Sequence, residues 1–262
     1  MASIKEVVRP TDLQDLLSII ADREVESRLV AGGTDLLLKY RTQPGPEISI
    51  VDITGITELG EIIEESDGLR IGAAVRLVDI IASDVVAERF PVLAEGAVVV
   101  AGPQIRNMAT VGGNVCNASP SADTIPPLLV LRAEAQIVSA SGRRSVPLDR
   151  FFLGPGKTIL DRGEMLEALW IPWPTTGAVA SYTKLSPRRA MDLAVVGVAV
   201  ALWNNSGGLD ARIGLGAVAP TPIRAMAAEE VIKGSVKMDS SLATEAAQMA
   251  AAGISPISDV RG

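Results

Sequence analysis

Two glycine pairs constrain this chain more than any other feature. One lies in Val30-Ala31-Gly32-Gly33-Thr34-Asp35, the other in Ala109-Thr110-Val111-Gly112-Gly113-Asn114. Each follows apolar sequence and leads into polar, turn-forming residues. Glycine lets the backbone approach a ligand where a side chain would collide. Consecutive backbone N–H groups then serve as donors to anionic oxygens, above all at a helix start. A single pair reads equally well as a tight turn, but two in one chain suggest a ligand with two phosphates. Neither G-x-G-x-x-G nor a Walker lysine is present, so a Rossmann or P-loop site is not indicated.

The second loop is the richer one. Thr110, Asn114, Asn117, Ser119, Ser121 and Asp123 crowd together. The hydroxyls and amides can donate to phosphate, and Asp123 can accept from ribose hydroxyls. The alternative is a polar loop whose side chains cap its own backbone.

The absences are chemical. The 262 residues contain no histidine and one cysteine, Cys116. A Ser-His-Asp triad and most zinc sites are thereby excluded, as is a Cys-ligated iron–sulfur cluster on this chain alone. Redox chemistry here needs an organic cofactor. With aromatics at 3% and apolar residues at 48%, the core must be aliphatic. A net charge of −7 without a basic block argues against a nucleic-acid surface. The longest apolar run, Leu193 to Trp203, falls short of the about 20 residues a spanning helix needs. Met1 to Pro10 carries Lys5, Glu6 and Arg9 and lacks a signal-peptide core, so the chain reads as soluble and cytoplasmic.

Apolar periodicity and turn residues predict an α+β chain in two regions. Thr11-Asp12 caps a helix to about Ala21, Ser27 to Ala31 is a strand, and Thr34 or Asp35 caps a helix over Leu36 to Tyr40. Ile48 to Ile53 and Leu69 to Val75 read as strands, the former bounded by Pro44-Gly45-Pro46. Leu77 to Ile81 begins a helix, and Thr124 to Leu131 forms another. Glu134 to Ser139 is a strand that Gly142-Arg143 turns back into Ser145 to Leu148. The boundary falls in Ile171-Pro172-Trp173-Pro174-Thr175-Thr176-Gly177, giving regions 1–175 and 176–262. Beyond it, strands run over Ala180 to Lys184, Ala194 to Trp203 and Ala211 to Ala219, with a turn at Asn204 to Gly208. Helices near Met226 to Lys233 and Ser241 to Ala252 close the chain.

Three side chains stay open to two readings. Cys116 is a small buried hydrophobe or a neighbour of the ligand. Tyr182 packs on a flat ring or lies on a sheet. Lys184, which with Asp192 flanks Pro187-Arg188-Arg189, belongs to a solvated hairpin tip or places a cation beside an electron-rich ring. Trp170 and Trp173 read as boundary packing.

These residues together resemble the FAD-binding subunits of molybdenum hydroxylases, the family of the carbon monoxide dehydrogenase medium subunit and the xanthine dehydrogenase FAD portion. The resemblance rests on the two glycine loops, then Ala118-Ser119-Pro120-Ser121-Ala122-Asp123, Gly163-Glu164-Met165-Leu166, Tyr182-Thr183-Lys184 and Ile257-Ser258-Asp259-Val260-Arg261-Gly262. It covers nearly the whole chain in order.

The resemblance implies a vanillyl-alcohol-oxidase-type (PCMH-type) FAD-binding domain of two α/β subdomains, followed by a smaller α/β domain. Ala31, Gly32, Gly33, Thr34 and Asp35, with Ala109, Thr110, Gly112, Gly113 and Asn114, would hold the pyrophosphate. Asp123 would bind ribose or the adenosine side. Ala101, Gly102, Ile105, Met165 and Leu166 would line the flavin, and Lys184 would approach it from the second domain. Leu29, Val30, Cys116, Asn117 and Tyr182 complete the candidate cofactor contacts, with no catalytic or metal residue among them. The implied partners are a small subunit with two [2Fe-2S] clusters and a large molybdopterin subunit, as a dimer of heterotrimers. Electrons would pass through the clusters to FAD, then to NAD, oxygen or a quinone. Family members usually continue past Asp-Val-Arg-Gly into a final helix, so the second domain is expected to be truncated. The cluster-bearing insertion of 4-hydroxybenzoyl-CoA reductase is missing. A flavin-free assembly subunit and a stand-alone FAD reductase are the alternatives.

Overall fold

The computed structural model describes residues 4–22, 27–42, 47–188 and 191–258. The predicted turn at Pro44 to Pro46, Arg189, and the last four residues of the C-terminal motif lie outside them. Three sheets organise the rest. The first is parallel, in the order β1 (Ile4–Val8), β3 (Ile48–Asp52), β2 (Ser27–Val30), with helices α1 (Leu13–Ala21) and α2 (Leu36–Thr42) in the crossovers. The Asp12 carboxylate caps α1 by accepting from the Asp15 N–H at 2.8 Å. Buried Leu16 and Ile20 turn its apolar face onto Val51, Ile53 and Met165.

The second sheet is antiparallel, ordered β4 (Ile62–Glu64), β5 (Gly68–Gly72), β10 (Glu164–Pro172), β6 (Glu134–Ser139), β7 (Gly142–Pro147). Six short helices are inserted between β5 and β6: α3 (Leu77–Ala82), α4 (Asp84–Arg89), α5 (Pro91–Val98), α6 (Pro103–Arg106), α7 (Val111–Cys116) and α8 (Ile125–Val130). A small hairpin, β8 (Phe152–Gly154) and β9 (Lys157–Thr158), precedes β10. The largest core lies between the helices and this sheet and includes Phe90, Leu93, Val111, Ile125, Phe151 and Leu169. It is aliphatic, as the composition requires. Trp173 stacks on Phe90 at 5.7 Å and donates its ring N–H to the Glu65 carbonyl at 3.1 Å.

The third sheet is an antiparallel meander, β11 (Val179–Leu185), β12 (Val196–Asn205), β13 (Gly208–Gly216), β14 (Ile223–Arg224). One face carries Leu209, Ala211, Ile213 and Leu215 against α9 (Met226–Ile232) and α10 (Ser240–Ala252). The other face docks onto α5 and α8, where Ala199, Ala201 and Tyr182 meet Val92 and Val130. One turn and one strand end differ from the expectation. Gly142-Arg143 belongs to β7, because Gly142 already pairs with Ser139 and the turn is Ala140-Ser141. The strand expected over Leu69 to Val75 stops at Gly72, whose backbone lies against the Leu59 carbonyl.

Strand β10 is the middle of the second sheet and holds a buried charge. The Glu167 carboxylate accepts from Arg143 at 2.9 and 3.1 Å, with Arg70 at 3.6 Å. Removing one partner of a buried pair is costly because the other stays desolvated. Glu167→Ala should therefore lower stability by about 2–4 kcal/mol, read from urea unfolding. A loss below about 0.5 kcal/mol would show that the charges are already satisfied by water.

Candidate functional site

The two glycine pairs come together in one cleft of about 380 Å³. Its lining includes Leu29, Val30, Ala31, Gly32, Gly33, Thr34 and Asp35 from the first loop and Ala109, Thr110, Gly113, Asn114, Cys116 and Asn117 from the second. Sequence reasoning missed Arg28, Leu36, Lys39 and Gly156, which also line it. Lys39 stands one helical turn after Asp35, a spacing that would have placed both on the same face of α2.

The two pairs do different work. The second loop is the start of α7, and its N–H groups are spent inside the protein. Val111 donates to Val75, Gly112 to Ala73, Gly113 to the Thr110 hydroxyl, and Asn114 to the Thr110 carbonyl, at 2.9 to 3.1 Å. Gly112 is small for a packing reason: a Cβ there would meet Ala73 at 2.5 Å. It does not line the cleft, which corrects its assignment to the ligand. In the first loop, the N–H groups of Gly32, Gly33, Thr34 and Asp35 donate to no backbone carbonyl among the described residues. Gly33 takes φ +68°, which favours glycine. A Cβ on Gly32 would lie 2.0 Å from the Met108 carbonyl oxygen, so this glycine joins the two loops. The first loop is thus an open row of donors, and the second is a wall whose side chains face it.

A second cavity of about 570 Å³ gathers other candidates. Ala101 and Gly102 line it with Arg106, Lys184, Met191 and Asp192. Ala101 (φ +43°) and Met191 (φ +56°) both hold left-handed backbone, a strain that persists only where the surroundings impose it. Arg106 braces the Ala101 turn by donating to the carbonyls of Val100 and Ala101 at 2.9 and 3.3 Å. The segment from Ala101 to Ala109 links this cavity to the glycine cleft. Ile105, on that segment, lines neither cavity and is 39% exposed.

Lys184 is not a free cation. Its ammonium donates to the Asp123 carboxylate at 2.8 Å, the Asp192 carbonyl at 2.7 Å and the Val99 carbonyl at 3.3 Å. Asp123 accepts a further bond from the Tyr182 hydroxyl at 2.8 Å. Burial pushes the Asp123 carboxyl up from its ordinary value, and Lys184 and Tyr182 pull against it. Burial and the Asp123 charge raise the Tyr182 phenol further from ionisation. These three residues clamp the third sheet to the helices, so Asp123 engages Lys184 and Tyr182 rather than facing the cleft as a ribose acceptor. Tyr182 spends its hydroxyl on the clamp.

Met165 and Leu166 are buried in two different cores and line neither cavity. Burial pushes the Cys116 thiol up to about 12, so it is a neutral wall residue at physiological pH. Asn114 accepts the Thr124 hydroxyl at 2.6 Å. Of the flanking cluster, Arg188 pairs with Asp192 at the surface and holds its carboxyl below the usual range. No group of metal-ligating residues occurs among the described residues. No helix of the described residues is long and apolar enough to cross a membrane.

Residues 2–174 match the FAD binding domain in molybdopterin dehydrogenase, and residues 181–262 match the CO dehydrogenase flavoprotein C-terminal domain. The xanthine dehydrogenase FAD-binding subunit of Escherichia coli O157:H7 is 38% identical over 225 residues, 85% of this chain and 77% of the relative. The carbon monoxide dehydrogenase medium chain of Afipia carboxidovorans is 33% identical over 255 residues, 97% of this chain and 88% of the relative. Among solved structures, the carbon monoxide dehydrogenase of Hydrogenophaga pseudoflava lacking the Mo-pyranopterin moiety superposes with a TM-score of 0.94 at 32% identity. It covers 100% of this chain and 91% of that one. Quinoline 2-oxidoreductase from Pseudomonas putida 86 gives 0.90 at 31%, covering 99% and 90%.

The unequal glycines separate binding from folding. A Cβ at position 113 meets only the Thr110 hydroxyl, at 2.9 Å, and projects where the cleft is lined. Gly113→Val should fold with a loss of about 1–2 kcal/mol from the disturbed cap yet bind FAD at least tenfold more weakly by fluorescence titration. Gly112→Val should instead melt far below the parent. If both variants bind FAD equally after refolding, the wall assignment is wrong. The clamp gives a second test. Lys184→Met strands the Asp123 carboxylate and should cost about 3–5 kcal/mol in urea unfolding. Adding Asp123→Asn should recover most of that, and an additive further loss would contradict direct pairing.

Proposed function

The chain belongs to the FAD-binding subunits of the molybdopterin dehydrogenase family, and on that premise we propose how its residues hold the cofactor and where the electrons go. It is an oxidoreductase subunit, with an FAD-binding domain followed by a smaller C-terminal domain. The boundary is proposed at residues 175/176, in the Pro174 to Gly177 linker.

The observation that carries the binding mode is the open row of N–H groups at Gly32, Gly33, Thr34 and Asp35. Those fixed donors suit the two phosphates of FAD. The Lys39 ammonium adds a cation at the same cleft, and Thr110, Gly113, Asn114 and Asn117 close the opposite side. The cavity lined by Ala101, Gly102 and Lys184 is proposed for the flavin ring, reached along the segment that joins it to the cleft. Lys184 acts there as a positioning residue: it holds Val99 and Asp192 in place while its charge is balanced by Asp123. No acid, base or nucleophile is called for, which agrees with a chain that has no histidine and one neutral cysteine.

When bound, FAD accepts electrons arriving from the [2Fe-2S] clusters of a small partner subunit and passes them to NAD, oxygen or a quinone. The substrate is oxidised on a large molybdopterin subunit, and the whole is a cytoplasmic hetero-oligomer. The relatives' names as medium chains and FAD-binding subunits support this reading. The alternative of a flavin-free assembly subunit conflicts with membership of an FAD-binding family.

The test uses the intact complex. Substrate added anaerobically should bleach both the iron–sulfur and the ~450 nm flavin absorbance, a signature of the cofactors themselves. With Gly113→Val in this subunit, cluster bleaching should persist while flavin bleaching and acceptor reduction disappear. Acceptor reduction at the parental rate in that complex would remove this chain from the electron path.

A further inference from the structure

The seam between the two domains carries a second feature that the flavin does not use. The Nε of Arg212, on β13, is buried and has no hydrogen-bond partner. Leaving a buried donor unpaired is costly, and more so when it is charged. The nearby carboxylates are already taken. Glu229 binds Arg224 through both oxygens and also accepts the Ile213 N–H, and Asp149 lies 3.8 Å from Arg224. Burial brings the Arg212 pKa down to about 10; Arg224 and Arg132 add to that, and Glu229 and Asp149 offset it only in part because both also face Arg224. At neutral pH it is still protonated.

Arg132 approaches from the other domain. It follows α8 in left-handed backbone, φ +59°. Its side chain has no bonding partner among the described residues, and the same holds for Arg212. Arg132 also lines an interdomain cavity of about 490 Å³ with Arg89, Thr175, Thr176, Ala201 and Trp203. Ala201 is the direct cross-strand partner of Arg212, so both side chains leave the same sheet face. This cavity shares no lining residue with the glycine cleft or with the cavity assigned to the ring.

We propose that the domain seam is an anion site, in which Arg132 and Arg212 together bind an oxyanion such as phosphate. Two guanidinium forks supply paired N–H donors that match the oxygens of phosphate or a carboxylate. The ligand satisfies the buried Nε and offsets the repulsion between the two cations. Because one fork comes from each domain, occupancy ties the domains together at a point away from the clamp.

The full chain is saturated with FAD, so that the glycine cleft is filled, and its melting is followed against inorganic phosphate with chloride matching the ionic strength. The midpoint should rise with phosphate, by about 3 °C once phosphate reaches roughly ten times its Kd, and by a near-constant step for each further tenfold increase. In Arg212→Met and in Arg132→Gln the rise should vanish while FAD stoichiometry stays at the parental value. Without phosphate, Arg212→Met should melt no lower than the parent, because it removes an unpaired donor instead of a bond. The proposal is overturned if the parent shows no phosphate-specific rise beyond the matched chloride, or if either folded variant keeps it. Should Arg212→Met fail to fold, Arg132→Gln decides alone.

Discussion

One buried ion pair, Lys184 with Asp123, sets the relation between the halves of this molecule. Apolar contact alone would let a flat sheet slide over helices, since dispersion has no direction. The clamp does have direction. All three ammonium donors of Lys184 are used, and the carboxylate receives a further bond from Tyr182. A desolvated pair of this kind contributes little net stability, but it penalises every docking geometry in which one member is left alone. The cavity beside it, bounded by Ala101, Gly102 and Asp192, keeps its shape for that reason.

Steric fit and donor supply are divided between the glycine pairs. Gly32 and Gly112 are small because backbone of the same chain lies against them, at Met108 and Ala73. Gly33 supplies a backbone conformation, and Gly113 leaves room in the cleft. A motif that looks repeated in sequence therefore meets three different needs at its four positions. It also explains why the helical start at Thr110 is a poor anion site despite its position. Its N–H groups were committed when Val111 and Gly112 bonded back to Val75 and Ala73.

Much of this was legible beforehand. The strands at Ser27 and Ile48, the three long strands of the third sheet with the turn near Asn205, and the meeting of both glycine loops follow from local patterns; β1 and the parallel pairing do not. Strand β10 was missed because Glu164-Met165-Leu166-Glu167-Ala168-Leu169 is built of good helix formers, and burial between β5 and β6 overrides that preference. Met165 and Leu166, placed at the flavin by the resemblance, are buried in two cores instead. Lys39 was hidden because its role depends on how α2 lies against the second loop. The partners of Asp123 sit 59 and 61 residues away, a separation no local pattern encodes.

The electrostatics look contradictory until distance is considered. A chain of net charge −7 is assigned a ligand with two phosphates and, at the seam, a further anion. Screening limits the reach of surface carboxylates to about 8 Å at physiological salt, so the total matters less than what stands at each site. At the cleft that is a row of backbone N–H groups and Lys39. At the seam it is Arg212, whose neighbouring carboxylates Glu229 and Asp149 also face Arg224, together with Arg132. Neutral, rigid donors in the first case cost no reorganisation and keep their strength at high salt. Excess buried positive charge in the second is unfavourable until something fills it. The same acidic protein thus holds one anion by backbone geometry and is primed for another by unbalanced charge.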